Sequence, residues 1–198
     1  MYKTKITILL ILLLLPLWAL AGKKEIVVFK LDSVTREPKA EPEPQITEKL
    51  IYEDDLIKIM WVPGKEAFSF MLENRTDKLL KILWEESSLI TQAGESHRVI
   101  HAGVKFINQD QPMPPTMVPQ KANIKDLIAS SDCPHVKPAK IMGTYCDSEI
   151  YSDKLPKSDQ IGEREKALQQ VLRVVLTIQK EEQKYIYDFT FKAEKGEK

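Results

Sequence analysis

Large apolar residues that recur at every second position constrain the fold of this chain more than any other feature. Runs of this kind occupy residues 57–62, 68–73, 80–84 and 97–106. Side chains two residues apart lie on the same face of a β-strand, so each run predicts a strand with one buried face. Turn-forming residues such as Pro63-Gly64 and Asn74 to Asp77 separate the runs. The chain is therefore predicted to be mostly β.

The clearest pair of predicted strands lies at the end of the chain. Two alternating runs are separated by a polar turn at residues 180–184. The apolar positions are Leu172, Val174, Leu176 and Ile178 in the first run and Tyr185, Tyr187, Phe189 and Phe191 in the second. This pattern predicts a β-hairpin with one aromatic face. Residues 163–170 fit a short helical turn, and a helix that continues into the 170s is the alternative.

About seven or eight short strands with short turns predict an antiparallel two-sheet sandwich of immunoglobulin type. Strands and helices do not alternate along the chain, which argues against a parallel sheet. Residues 37–45 hold three prolines and three glutamates, a composition typical of a stiff linker. We therefore expect an N-terminal segment with a linker over residues 22–45 and the sandwich domain over 46–198. Whether residues 25–31 form a strand of the domain stays open.

Several segments follow one another in a recognisable order: YEDD, IKIMW, FSFMLEN, ILWEESSLI, HRVIHAGV and the hairpin LTIQ–YIYDFTF. This order resembles that of small exported bacterial immunoglobulin-like domains of unknown function. The resemblance covers roughly residues 52–192. Since the segments hold mostly core positions, the resemblance implies a β-sandwich and carries over no catalytic residue.

The first 21 residues have the three parts of a cleavable signal peptide. Lys3 and Lys5 precede an apolar run, and Ala19-Leu20-Ala21 places small residues at the two positions that signal peptidase reads. A retained anchor is the alternative, but a membrane-spanning helix needs about 20 apolar residues, and this run is shorter and contains Pro16. We expect a periplasmic or secreted protein that meets a membrane only if its leader stays uncleaved.

Cys133 and Cys146 are the two cysteines of the chain. In an oxidising compartment such thiols pair, and closing this loop is worth about 3 kcal/mol in the chain-entropy model. We therefore predict a disulfide that staples a loop excursion, inserted in the sandwich over residues 130–162. Two free thiols would suit a cytosolic protein better, and a metal site would need more ligands than the nearby His135.

No segment has a catalytic or cofactor motif. His97 and His101 have the spacing of two zinc ligands on a helix, but in a strand their Cα atoms lie about 13 Å apart. Acidic clusters at residues 53–55 and 85–86 lack the spacing of a calcium loop, so we interpret them as solvated turn charges. Trp61 and Trp84 could stack on a sugar, but each shares a face with isoleucine and is assigned to the core.

Two hypotheses of function follow. The formal net charge is zero, which argues against binding to nucleic acid or to an anionic membrane. The first hypothesis is a non-enzymatic envelope module, without a cofactor, that binds another envelope protein or supports a surface assembly. Long loops carry most recognition, which points to residues 112–119 and 130–162. The alternative is a small metal-binding protein or hydrolase that uses His97 and His101.

Overall fold

The computed structural model describes residues 25–40, 45–48, 50–104, 111–131, 136–139, 143–146 and 152–197. The strands are β1 (Glu25–Glu37), β2 (Gln45–Glu48), β3 (Ile51–Glu53), β4 (Ile57–Pro63), β5 (Phe68–Asn74), β6 (Leu80–Ile82), β7 (Ser88–Ile90), β8 (Ser96–Ile100), β9 (Thr116–Val118), β10 (Asn123–Ser130), β11 (Val136–Ala139), β12 (Gly143–Cys146), β13 (Val171–Lys180) and β14 (Gln183–Glu197). A 3₁₀ turn (Trp84–Glu86) separates β6 from β7, and the helix α1 (Ile161–Leu168) precedes β13. No described helix has the length and hydropathy that a membrane-spanning segment needs.

All strands except β11 and β12 belong to one antiparallel sheet that is nearly closed into a barrel. Neighbouring strands along this sheet follow the order β1, β14, β13, β7, β8, β10, β5, β4, β3, β2. Strand β13 pairs with β7 through residues 173–175 and with β6 through residues 178–180. Strand β9 pairs with β6. The chain is mostly β, but the predicted two-sheet, immunoglobulin-like sandwich is wrong.

Strand β10 explains why two separate sheets do not form. Its residues Asn123 to Ile128 pair with β5, and its last two residues, Ala129 and Ser130, pair with β8. One strand is therefore hydrogen-bonded to both halves of what would have been a sandwich. The alternation of apolar residues does not distinguish the two folds, because a sandwich and a barrel both bury every second side chain.

Strand β1 is part of the barrel. It pairs with β14 from Glu25, opposite Glu197, to Glu37, opposite Ile186, and its register shifts between Leu31 and Ser33. A shift of this kind increases the bend and twist of a strand, which suits a strongly curved sheet. The side chains of Val27, Phe29 and Leu31 are buried in the core.

Aromatic rings fill the interior. The centroid of the Trp61 ring lies 5.1 Å from that of Phe189 and 5.5 Å from that of Phe191. Both Trp61 and Trp84 are almost fully buried, with exposed fractions of 1% and 0%. Their assignment to the core is confirmed, and neither ring is available to stack on a sugar. The predicted C-terminal hairpin forms as β13 and β14, with Lys180 paired to Gln183 across a tighter turn than expected.

Residues 130–162 contain more regular structure than the predicted irregular excursion. Strands β11 and β12 form a separate two-stranded sheet, with Val136 opposite Cys146 and Ala139 opposite Gly143. No disulfide is seen among the described residues. Cys133 lies outside them, as does the leader over residues 1–21, so the cysteine pairing and the signal peptide stay predictions.

Candidate binding site

The two histidines of the metal hypothesis face different carboxylates. His97 Nε2 lies 3.7 Å from Glu95 Oε2, and His101 Nδ1 lies 3.4 Å from Asp126 Oδ2. Among the described residues, no group of three or more histidine, cysteine, aspartate or glutamate side chains could hold a metal ion. The structure thus places His97 and His101 in separate surroundings within the described part of the chain.

His101 belongs to a packed contact rather than to an open site. Its ring stacks on Trp84, with centroids 4.4 Å apart and an interplanar angle of 6°. Asp126 Oδ1 accepts hydrogen bonds from the backbone N–H groups of Ala102 and Leu127, both at 2.8 Å. The Asp126 carboxylate therefore holds the turn after β8 in contact with β10.

The interpretation of the cluster at residues 53–55 as solvated turn charges is wrong for one of its members, Asp54. Its side chain is fully buried. Oδ2 accepts hydrogen bonds from Arg36 Nη1 at 2.8 Å, from the Tyr52 hydroxyl at 3.1 Å and from the Tyr187 hydroxyl at 3.0 Å. Oδ1 accepts two more, each at 2.8 Å, from backbone N–H groups where β4 begins. We call Arg36, Tyr52, Asp54 and Tyr187 the closure cluster.

The closure cluster joins the two ends of the sheet. Arg36 belongs to β1, at one end of the strand order, whereas Tyr52 belongs to β3 and Asp54 follows it, near the other end. Burial raises the pKa values of Tyr52 and Tyr187 well above the usual range, and the negative charge of Asp54 raises them further. Since five donors from this chain already occupy the Asp54 carboxylate, the cluster serves to close the barrel rather than to bind a ligand.

An open groove lies on the outer face of β4, β5 and β10, and its volume is about 370 Å³. Two rows of cross-strand neighbours form its floor. The first row is Val62, Ser69 and Leu127, and the second is Met60, Met71 and Lys125. We call this feature the outer groove. It also includes Ala102, from the turn that Asp126 fixes.

The outer groove exists because a small residue lies among larger ones. Ser69 sits between Val62 and Leu127, so its short side chain leaves a depression in an otherwise apolar row. Outward positions of an antiparallel sheet that faces water are usually polar. Here Met60 and Val62 are instead exposed by 37% and 55%. The result is a solvent-exposed apolar site in the middle of the sheet.

Charges around the outer groove are arranged unequally. At one end of the same face, Glu53 pairs with Lys58 at 3.1 Å and with Arg75 at 2.7 Å. Lys125 is exposed, lines the groove, and makes no ion pair with any described residue. Asp126 also lines the groove, but its side chain is only 8% exposed. The groove can therefore hold apolar side chains and offer one exposed ammonium group to a negative charge.

The long loop predicted over the proline-rich segment, residues 112–119, contains a short edge strand and buried residues. Met113 is buried, and its backbone N–H donates to Glu85 Oε1 at 2.7 Å. Strand β9, within the same segment, pairs with β6 and places Val118 in the core. Two residues of this segment therefore pack against the interior, and most of the others stay exposed.

Sequence reasoning missed the outer groove, although a signal was present. The runs IKIMWVP and FSFML have apolar residues on both faces of the predicted strands, not on one. A strand that is apolar on both sides is typical of a sheet covered on both faces. Here nothing described covers the second face.

Comparisons with models of protein families, with curated proteins and with solved structures found no match.

Proposed function

We propose that this chain is a non-enzymatic exported module that binds another protein through the outer groove. The observation that carries the proposal is the exposed apolar surface of Met60 and Val62 around the depression at Ser69. Exposed apolar surface rimmed by polar residues is typical of interaction sites in soluble proteins. The leader-like first 21 residues support export of the mature chain.

The shape of the outer groove favours a protein segment as the partner. The groove is open to solvent and lies across three adjacent strands, so an extended segment can lie on it and place a side chain over Ser69. The flexible thioether side chains of Met60 and Met71 line it, and methionine adapts well to varied apolar partners. Alternate side chains of an extended segment point to the same side, so one side of such a segment can face the groove.

A matched pair of variants tests the proposal. Val62→Asp places a charge in the outer groove, whereas Ile186→Asp places one on β14, at a residue that is 44% exposed and does not line the groove. We expect immobilised mature wild type and Ile186→Asp to retain the same protein from an envelope extract, and Val62→Asp to lose it. Thermal unfolding of all three proteins checks that each is folded. Equal retention by Val62→Asp and wild type would contradict the proposal.

A further inference from the structure

We infer that the partner segment carries a carboxylate beside the apolar side chain that enters the outer groove, and that Lys125 binds this carboxylate. The inference rests on the proposed function and names the chemistry of the partner at the same site.

The ion pairs of other lysines give the first support. On the outer surface of the same sheet, Lys30 pairs with Glu194 at 3.6 Å, Lys58 with Glu53 at 3.1 Å and Lys192 with Asp32 at 2.8 Å. Lys125 lies on a strand in the same way but pairs with no carboxylate of the described chain. Its neighbour Asp126 has a side chain that is only 8% exposed, and Oδ1 accepts from backbone N–H groups.

The position of Lys125 gives the second support. It lies opposite Met71 across β10 and β5, one row from Ser69. Alternate side chains of an extended segment lie on the same side, about 7 Å apart, so a carboxylate two residues away from the side chain over Ser69 can reach the ammonium group. Apolar neighbours such as Met71 and Leu127 exclude water from part of this contact, which strengthens the attraction between opposite charges.

Charge complementarity thus selects one kind of occupant among those that an apolar groove admits. A purely apolar segment would leave Lys125 without a partner, and a basic segment would be repelled by it. An acidic residue two positions from a large apolar residue satisfies both parts of the site. We therefore assign the groove to an extended segment of another protein with that pair of residues.

An unbiased peptide selection tests the inference. A phage library of random heptapeptides is selected on the mature protein, and phage that also bind Ser69→Met, which fills the depression, are removed. We expect the remaining peptides to share a large apolar residue two positions from an aspartate or glutamate. Synthetic copies of them, measured by fluorescence polarisation, should bind Lys125→Gln about fivefold more weakly than wild type, which is the usual effect of losing one exposed ion pair.

Two further variants serve as controls. Lys81→Gln removes a lysine on β6 that does not line the groove, and it should leave peptide affinity unchanged. Selection on Lys125→Glu should return peptides with lysine or arginine in place of the acidic residue, because the charge preference is reversed.

The outcomes separate the two proposals. Peptides that depend on Ser69 but bind Lys125→Gln as tightly as wild type would overturn the inference and leave the proposed function standing. Failure to select any peptide that depends on Ser69 would overturn both. If oleate binding or dimer formation disappears in Ser69→Met and blocks the selected peptides, a lipid or a second copy occupies the groove. That result would likewise overturn the inference.

Discussion

The closure cluster and the outer groove differ in whether the chain itself supplies partners for the side chains at each place. In the closure cluster, five hydrogen-bond donors surround the buried Asp54 carboxylate. In the outer groove, Met60 and Val62 face solvent, and Lys125 has no ion pair with a described residue. A buried, fully hydrogen-bonded charge holds the fold, whereas the exposed apolar site, with a lysine that pairs with no described residue, is where we propose that a partner binds. Changes to the first should alter stability, and changes to the second should alter binding.

The largest effect is expected from Asp54→Asn. Asparagine removes the buried carboxylate from beside Arg36, whose side chain is only 4% exposed. Losing one partner of a buried ion pair costs about 3–5 kcal/mol, and we expect a decrease near the lower end of that range in the free energy of unfolding in urea, because one exposed carboxylate still pairs with Arg36. Asp55 also pairs with Arg36, at 2.5 Å, but is 46% exposed. Asp55→Asn should therefore cost less than about 1 kcal/mol. Equal losses in the two variants would mean that the closure cluster does not hold the barrel closed.

High pH should destabilise the protein through the same cluster. Burial, and next the charge of Asp54, raise the pKa values of Tyr52 and Tyr187 in the folded state, while the unfolded value is about 10. A raised folded pKa contributes stability that is fully present below the unfolded pKa and is lost as the pH rises above it. Each tyrosine should lower the free energy of unfolding by about 1.4 kcal/mol per pH unit above pH ~10.

Urea unfolding between neutral pH and pH ~11 measures this slope. The double variant Tyr52→Phe, Tyr187→Phe is the control, because it removes both titrating hydroxyls of the cluster. Its slope should be smaller than that of wild type, although its stability at neutral pH is lower by the two lost hydrogen bonds. An unchanged slope in the double variant would assign the alkaline loss to other groups.

Local patterns predicted the strands well but not the way they join. The strands β4, β5, β13 and β14 each follow from a period of two in nearby residues. Closure of the barrel depends instead on β1 and β14, whose paired residues Glu25 and Glu197 lie at opposite ends of the described chain. It also depends on β10, which shares its pairing between β5 and β8. No local window of the sequence contains these pairings.

The same reason explains what was missed at the candidate site. Three strands that are distant in sequence bring Val62, Ser69 and Leu127 into one row, and only their register makes the row. Asp54 was misjudged for a related reason. A carboxylate in a predicted turn is usually solvated, and its main partners, Arg36 and Tyr187, come from opposite ends of the described chain.

Methyl NMR of the mature protein with its partner tests most directly where binding occurs. Protein labelled with ¹³C at the methionine methyl groups reports on Met60 and Met71 in the outer groove, and on Met113 and Met117 in the proline-rich segment. Met117 is the internal control, because it is 50% exposed and lies on β9. We predict that adding the captured protein shifts the signals of Met60 and Met71 and leaves those of Met113 and Met117 in place. Shifts confined to Met117, with Met60 and Met71 unchanged, would contradict the assignment of binding to the outer groove.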